Sequence, residues 1–86
     1  MQGAAMPKSI HRKEYAALIR VVRDVRMAAG LTQSEVSQKL GRSQSFISDV
    51  ETGKRRLDVV ELRDIAQLAG LSLSKLIAKF ERALKD

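Results

Sequence analysis

The sequence predicts an all-α protein, a compact bundle of five short helices, and three observations carry that expectation. Apolar residues recur at spacings of three and four, the helical period, and no stretch alternates strictly as a half-buried strand would. Gly30, Gly41, Gly53 and Gly70 each follow an apolar-periodic stretch, where a left-handed residue closes a helix at little steric cost. A good helix-starting residue follows each of them: Thr32, Ser43, Asp58 and Ser72. Four stops imply five segments.

The first segment runs from about Ile10 to Ala29, with Leu18, Val22, Val25 and Ala29 on one face and Ser9 or His11 as its start. In the second, Thr32 and Glu35 form a capping box and Leu31 and Val36 a hydrophobic staple; it ends near Leu40. The third opens with Ser43 as N-cap, carries Phe46, Ile47 and Val50, and ends near Gly53. The fourth repeats the start signal with Asp58 and Glu61, staples Leu57 to Leu62, and buries Leu62, Ile65, Ala66 and Ala69. The fifth, about 72–84, is capped by Ser72 and stapled from Leu71 to Leu76. Residues 1–8, with the single proline at Pro7, read as a flexible tail, and 9–86 as one domain.

Composition removes several function classes. A chain of 86 residues has room for one small core. Lys and Arg number 16 against 10 Asp and Glu, a net charge of +6, which favours a polyanionic partner without choosing between DNA, RNA and anionic membrane. Cysteine is absent and His11 is the only histidine, so neither a metal centre nor a catalytic triad has material; no metal, cofactor or enzymatic activity is expected. No run of 18 apolar residues occurs and the start lacks a signal-peptide pattern, so a cytoplasmic protein is expected.

The turn at Gly41-Arg42 is too short to lay the third helix antiparallel to the second, so the two form a crossed corner at 32–53. Val36, Leu40, Ile47 and Val50 pin that corner inward, leaving Gln44, Ser45, Ser48 and Asp49 outside. Such side chains suit base edges in a major groove: Gln pairs bidentately with adenine, Ser with several bases, Asp with the cytosine amino group. The cations Lys54, Arg55 and Arg56 follow directly, where they would meet phosphates. Phe46 either packs in the core or touches a thymine methyl.

These residues resemble a known family. G-L-T-Q-x-E-V at 30–36 and L-G-x-S-Q-S-x-I-S-x-x-E-x-G at 40–53, with V-R-D-V-R before and R-R-L-D-V-V-E-L after, look like the Cro/cI-type helix-turn-helix regulators, also called the xenobiotic-response-element (XRE) family. The resemblance spans about Leu18 to Leu76 and implies a lambda-repressor-like DNA-binding domain acting as a small repressor. It implies Gln44 as principal base reader, with Ser45, Asp49 and Ser48 beside it. It implies phosphate contacts from Gln33, from Thr32 and the N–H groups of its helix end, from Arg42 and Ser43 in the turn, and from Thr52, Lys54, Arg55 and Arg56. Arg26 and Glu51 match a pair that the family often buries between its first and third helices. Two positions depart from the pattern. Ser37 stands where Ala is common and needs a hydrogen bond, expected to a carbonyl of the preceding turn. Asp49 puts a negative charge toward phosphates unless it accepts from cytosine or pairs with an arginine such as Arg42.

Leu73, Ile77, Phe80 and Leu84 extend an apolar stripe past the motif. Ile77, Phe80 and Leu84 are therefore candidate homodimer residues, and a dimer would suit a pseudo-palindromic operator on double-stranded DNA. The stripe also fits folding back on its own domain, or a protein partner, which would make the chain an antitoxin or adaptor. Lys75, Lys79, Arg82 and Lys85 would suit a lipid surface, but the cap and staple tie this helix into the bundle and no membrane partner is expected.

Overall fold

A computed structural model describes residues 12–85. The described residues form five helices: α1 (Lys13–Ala28), α2 (Gln33–Lys39), α3 (Phe46–Glu51), α4 (Val59–Leu68) and α5 (Leu73–Lys85). No strand occurs among the described residues. Ser9, His11 and the expected tail at 1–8 lie outside them; α1 begins after Arg12, which supplies no side-chain cap.

The four glycine stops end α1 to α4 in one way. At α2, the Gly41 N–H donates to the Gln38 carbonyl at 3.0 Å and the Arg42 N–H to the Ser37 carbonyl at 2.9 Å, the paired bonds of a Schellman motif. Gly41 holds φ at 68°, a conformation costly to any residue with a Cβ. The same two bonds recur around Gly30, Gly53 and Gly70. Both capping boxes form, Thr32 with Glu35 and Asp58 with Glu61. The Ser72 hydroxyl accepts from the Lys75 N–H at 3.1 Å. The residue before each of these three caps, Leu31, Leu57 or Leu71, packs against the core.

That core joins all five helices: Val21, Val22 and Val25 of α1, Val36 of α2, Phe46, Ile47 and Val50 of α3, Leu62, Ile65 and Ala66 of α4, and Leu76 of α5. Phe46 is thus a core residue, and its ring is not presented to a partner. Ala29, expected on the buried face, is exposed because it caps α1 just as the chain turns away at Gly30.

The start of α3 differs from the sequence expectation. Ser43 is not its N-cap: its carbonyl accepts from the Phe46 N–H at 3.0 Å in a tight turn, and the helix begins after Ser45, which makes no side-chain cap either. The cap comes from another helix. Ser37, wholly buried on α2, accepts the Ile47 N–H on its Oγ at 3.1 Å. Expected to bond a carbonyl of the preceding turn, this hydroxyl instead satisfies a buried N–H in the first turn of α3. Ser37 therefore fixes both sides of the corner, its carbonyl holding the turn and its hydroxyl the next helix.

Candidate nucleic-acid interface

Behind α3 lies a desolvated network. The Arg26 guanidinium donates to Glu51 through Nε at 2.6 Å and through Nη2 at 3.0 Å, and its Nη1 donates to the Leu31 carbonyl at 2.7 Å. The pair forms as expected, and only 11% of the Arg26 side chain and 4% of the Glu51 side chain meet solvent. Gln33 joins it, donating from Nε2 to Glu51 at 2.9 Å. One carboxylate thus ties the end of α1, the start of α2 and the end of α3 together. Gln33 thereby braces the end of α3, and its amide nitrogen is already engaged.

The capping box also takes the N–H groups of Thr32 and Glu35, leaving those of Gln33 and Ser34 at the start of this short helix. Hydrogen bonds from Thr32 hold the Glu35 carboxyl below its ordinary range.

On the outer side, Gln44 and Ser45 are exposed in the turn before α3 and Ser48 and Asp49 are half-buried on it. Gln44 shares a shallow depression of about 300 Å³ with Arg42, Ser34 and Gln38. Ser34 and Gln38 of α2 thus adjoin the candidate reading face, which the sequence pattern placed wholly on the third segment. The Asp49 carboxylate forms no ion pair among the described residues, and Arg42 turns to Glu61 instead of to Asp49. The Asp49 backbone sets the path of the basic loop, because its carbonyl accepts from the N–H groups of Lys54 at 2.8 Å and Arg55 at 3.2 Å.

The expected phosphate-binding cations are not equivalent. Lys54 is exposed. Arg56 lies over the Tyr15 ring, 4.9 Å from its centroid. Tyr15, buried on α1 and unremarked in the sequence, also accepts the Leu57 N–H on its hydroxyl at 3.2 Å and so holds the loop against α1. Arg55 makes a two-pronged pair with Glu61, at 3.0 and 2.8 Å. Arg42 reaches the same carboxylate at 2.9 Å. Both guanidiniums sit over Phe46, at 4.2 and 4.8 Å from the ring centroid. Hydrogen bonds from Arg55 chiefly, with those from Asp58 and Arg42, pull the Glu61 carboxyl from 4.5 to about 2. The Thr52 hydroxyl donates back to the Ser48 carbonyl at 2.9 Å, and Ser43 is exposed.

Of the candidate dimer residues, Ile77 packs against the core, Phe80 is half-buried beside Tyr15 and Leu18, and Leu84 is 40% exposed. Leu76 is the inward residue of α5, so Ile77 beside it flanks the core. The more exposed apolar pair is Val59 and Val60, at 62% and 63%, on the first turn of α4 next to the basic loop. No helix of the described residues is long and apolar enough to cross a membrane, and no cluster of potential metal ligands occurs among them.

A crossed pair of short helices, braced from behind and edged with polar and basic side chains, defines a helix-turn-helix domain. A family model described as a helix-turn-helix domain matches residues 17–76. The chain is 40% identical over 53 residues to an uncharacterised HTH-type transcriptional regulator of Sinorhizobium fredii, a match covering 62% of this chain and 69% of that one. It is also similar to the solved structure of an XRE-family like protein from Pseudomonas syringae pv. tomato, with a TM-score of 0.77, 42% identity, and 86% and 90% of the two chains covered. The chain belongs to the XRE/Cro-type helix-turn-helix family of DNA-binding transcriptional regulators.

Proposed function

We propose that the protein is a sequence-specific double-stranded DNA-binding regulator that represses by occupying promoter DNA as a homodimer on a pseudo-palindromic site. The observation that carries this reading is the position of Gln44. It stands exposed in the turn that leads into α3, beside Ser45, on a corner fixed from behind by Ser37 and by the Arg26–Glu51–Gln33 network. Preorganised donors and acceptors on a rigid element discriminate bases, because a mismatched edge leaves them unpaired. Ser45, Ser48 and Asp49 complete the base-facing set. Thr32, Gln33, Arg42, Ser43, Thr52, Lys54, Arg55 and Arg56 supply the phosphate contacts that fix register.

In a two-fold dimer the recognition helices would lie about 34 Å apart, one turn of duplex. Phe80 and Leu84 of α5 are the apolar residues available to that contact, and Ile77 supports them from the core edge.

Selection of bound duplexes from a random pool tests the reading: a two-fold symmetric enriched site supports it, and an unenriched pool refutes it. Gln44→Ala should then relax discrimination at one base position by about 1–3 kcal/mol. Equal weakening on every duplex would remove Gln44 from the base-reading set.

A further inference from the structure

Glu61 lies on α4, outside the corner and outside every contact assigned above to bases or phosphates. Its carboxylate nevertheless accepts four hydrogen bonds: one from Arg42, two from Arg55 and one from the Asp58 N–H. That fills the roughly four acceptor positions of a carboxylate. Its side chain is only 13% exposed, and the capping box fixes it to the α4 backbone, so the carboxylate is a rigid post. The two arginines come from opposite ends of the α3 segment, one from the turn before it and one from the loop after it. Both guanidiniums lie over the ring of Phe46, itself a core residue.

A guanidinium carries about five N–H donors. Arg42 spends one on Glu61, and Arg55 spends two there and one on the Arg56 carbonyl, so both retain donors for another acceptor. Their position is therefore set while their donor capacity is not exhausted. Their charge is partly cancelled: two cations and one carboxylate leave a single net positive charge. Lys54 in the same loop has no carboxylate partner among the described residues, so one stretch of chain holds both a loose cation and clamped ones.

We propose that Glu61 is a specificity-determining positioning residue, which holds Arg42 and Arg55 at fixed places on either side of α3 and withholds one unit of charge from indiscriminate phosphate binding. The proposal rests on the DNA-binding reading above. Sequence-independent affinity grows with the number of phosphates neutralised, whatever the geometry. Fixed guanidiniums contribute fully only when the duplex is docked in register, so clamping them lowers affinity for wrong sites more than for the right one.

The test compares the full chain with Glu61→Gln, which keeps a capping-box residue at the same place, on the selected duplex and on a scrambled one. On the scrambled duplex the variant should bind more tightly, with a slope of log K against log salt steeper by about 0.9, one further phosphate charge. The ratio of selected to scrambled affinity should fall by about tenfold. Adding Arg55→Gln to the variant restores the net charge of the cluster, so the slope should return to the wild-type value while the ratio stays low. A merely structural role would weaken both duplexes together and leave the slope alone, and that result overturns the proposal. Binding of no duplex by either protein would instead refute the DNA-binding reading itself. Guanidinium NMR on the unmodified protein gives an independent readout: rotation of Arg42 and Arg55 should be slowed already without DNA, and fast rotation there overturns the proposal.

Discussion

Two arginine–glutamate clusters flank α3, alike in chemistry and opposite in surroundings. Behind the helix, Arg26 and Glu51 are almost dry, at 11% and 4% exposure, and Leu31 and Gln33 engage their remaining polar atoms. In front, Arg42 and Arg55 share Glu61 while 37% and 38% of their side chains remain in water. Burial makes the first a brace, because a stranded charge in a dry site is expensive. Exposure leaves the second in reach of outside acceptors and makes it a small contributor to stability, since an ion pair in water is worth little and is screened by salt. One side of the helix is dry and braced, and the other keeps its guanidiniums within reach of solvent.

The largest expected effect breaks the brace. Glu51→Gln leaves the Arg26 charge without its partner and should cost about 3–5 kcal/mol, read by urea denaturation followed by circular dichroism. Ser37→Ala removes the acceptor of a buried N–H and should cost about 1–3 kcal/mol, with the loss concentrated in faster amide exchange across the first turn of α3. Gly41→Ala should cost about 1–2 kcal/mol from backbone strain alone, since an added Cβ meets nothing within 4 Å. Glu61→Gln should cost under about 1 kcal/mol by the same denaturation, and a loss equal to that of Glu51→Gln would erase the distinction between the clusters.

The smallest effect is in acid. The Glu61 carboxyl is depressed from 4.5 to about 2 in the folded chain, so its contribution is complete above the ordinary value and is lost as pH falls toward 2. The stability difference between wild type and Glu61→Gln should therefore shrink between those pH values. A difference that stays constant there would show that the pairs do not favour the ionised carboxylate.

Much of the fold was legible in the sequence because its signals are local. The Thr32–Glu35 and Asp58–Glu61 boxes and the four glycine stops act within a few residues of themselves, and each forms as expected. The resemblance carried the Arg26–Glu51 pair across 25 positions, a separation that no local pattern bridges. The misreadings lie where a distant partner decides. Ser43 looks like an N-cap, but the cap of α3 is Ser37 on another helix; Arg42 looks available to Asp49, but Glu61 takes it. Tyr15 left no signal at all, since one aromatic at the start of a helix does not announce that its hydroxyl will hold a loop 42 residues on.

By itself, then, the sequence determined the helix count, the stops, the caps of α2, α4 and α5, the polar outer edge of the corner and the family. Hydrogen bonds between near neighbours and apolar periodicity need no tertiary context. Only the tertiary structure decided which cations are clamped and which are loose. That depends on a carboxylate 6 residues from one arginine and 19 from the other, brought to both because α4, packed on α1 and α5, sets its first turn beside the turn and the loop that flank α3.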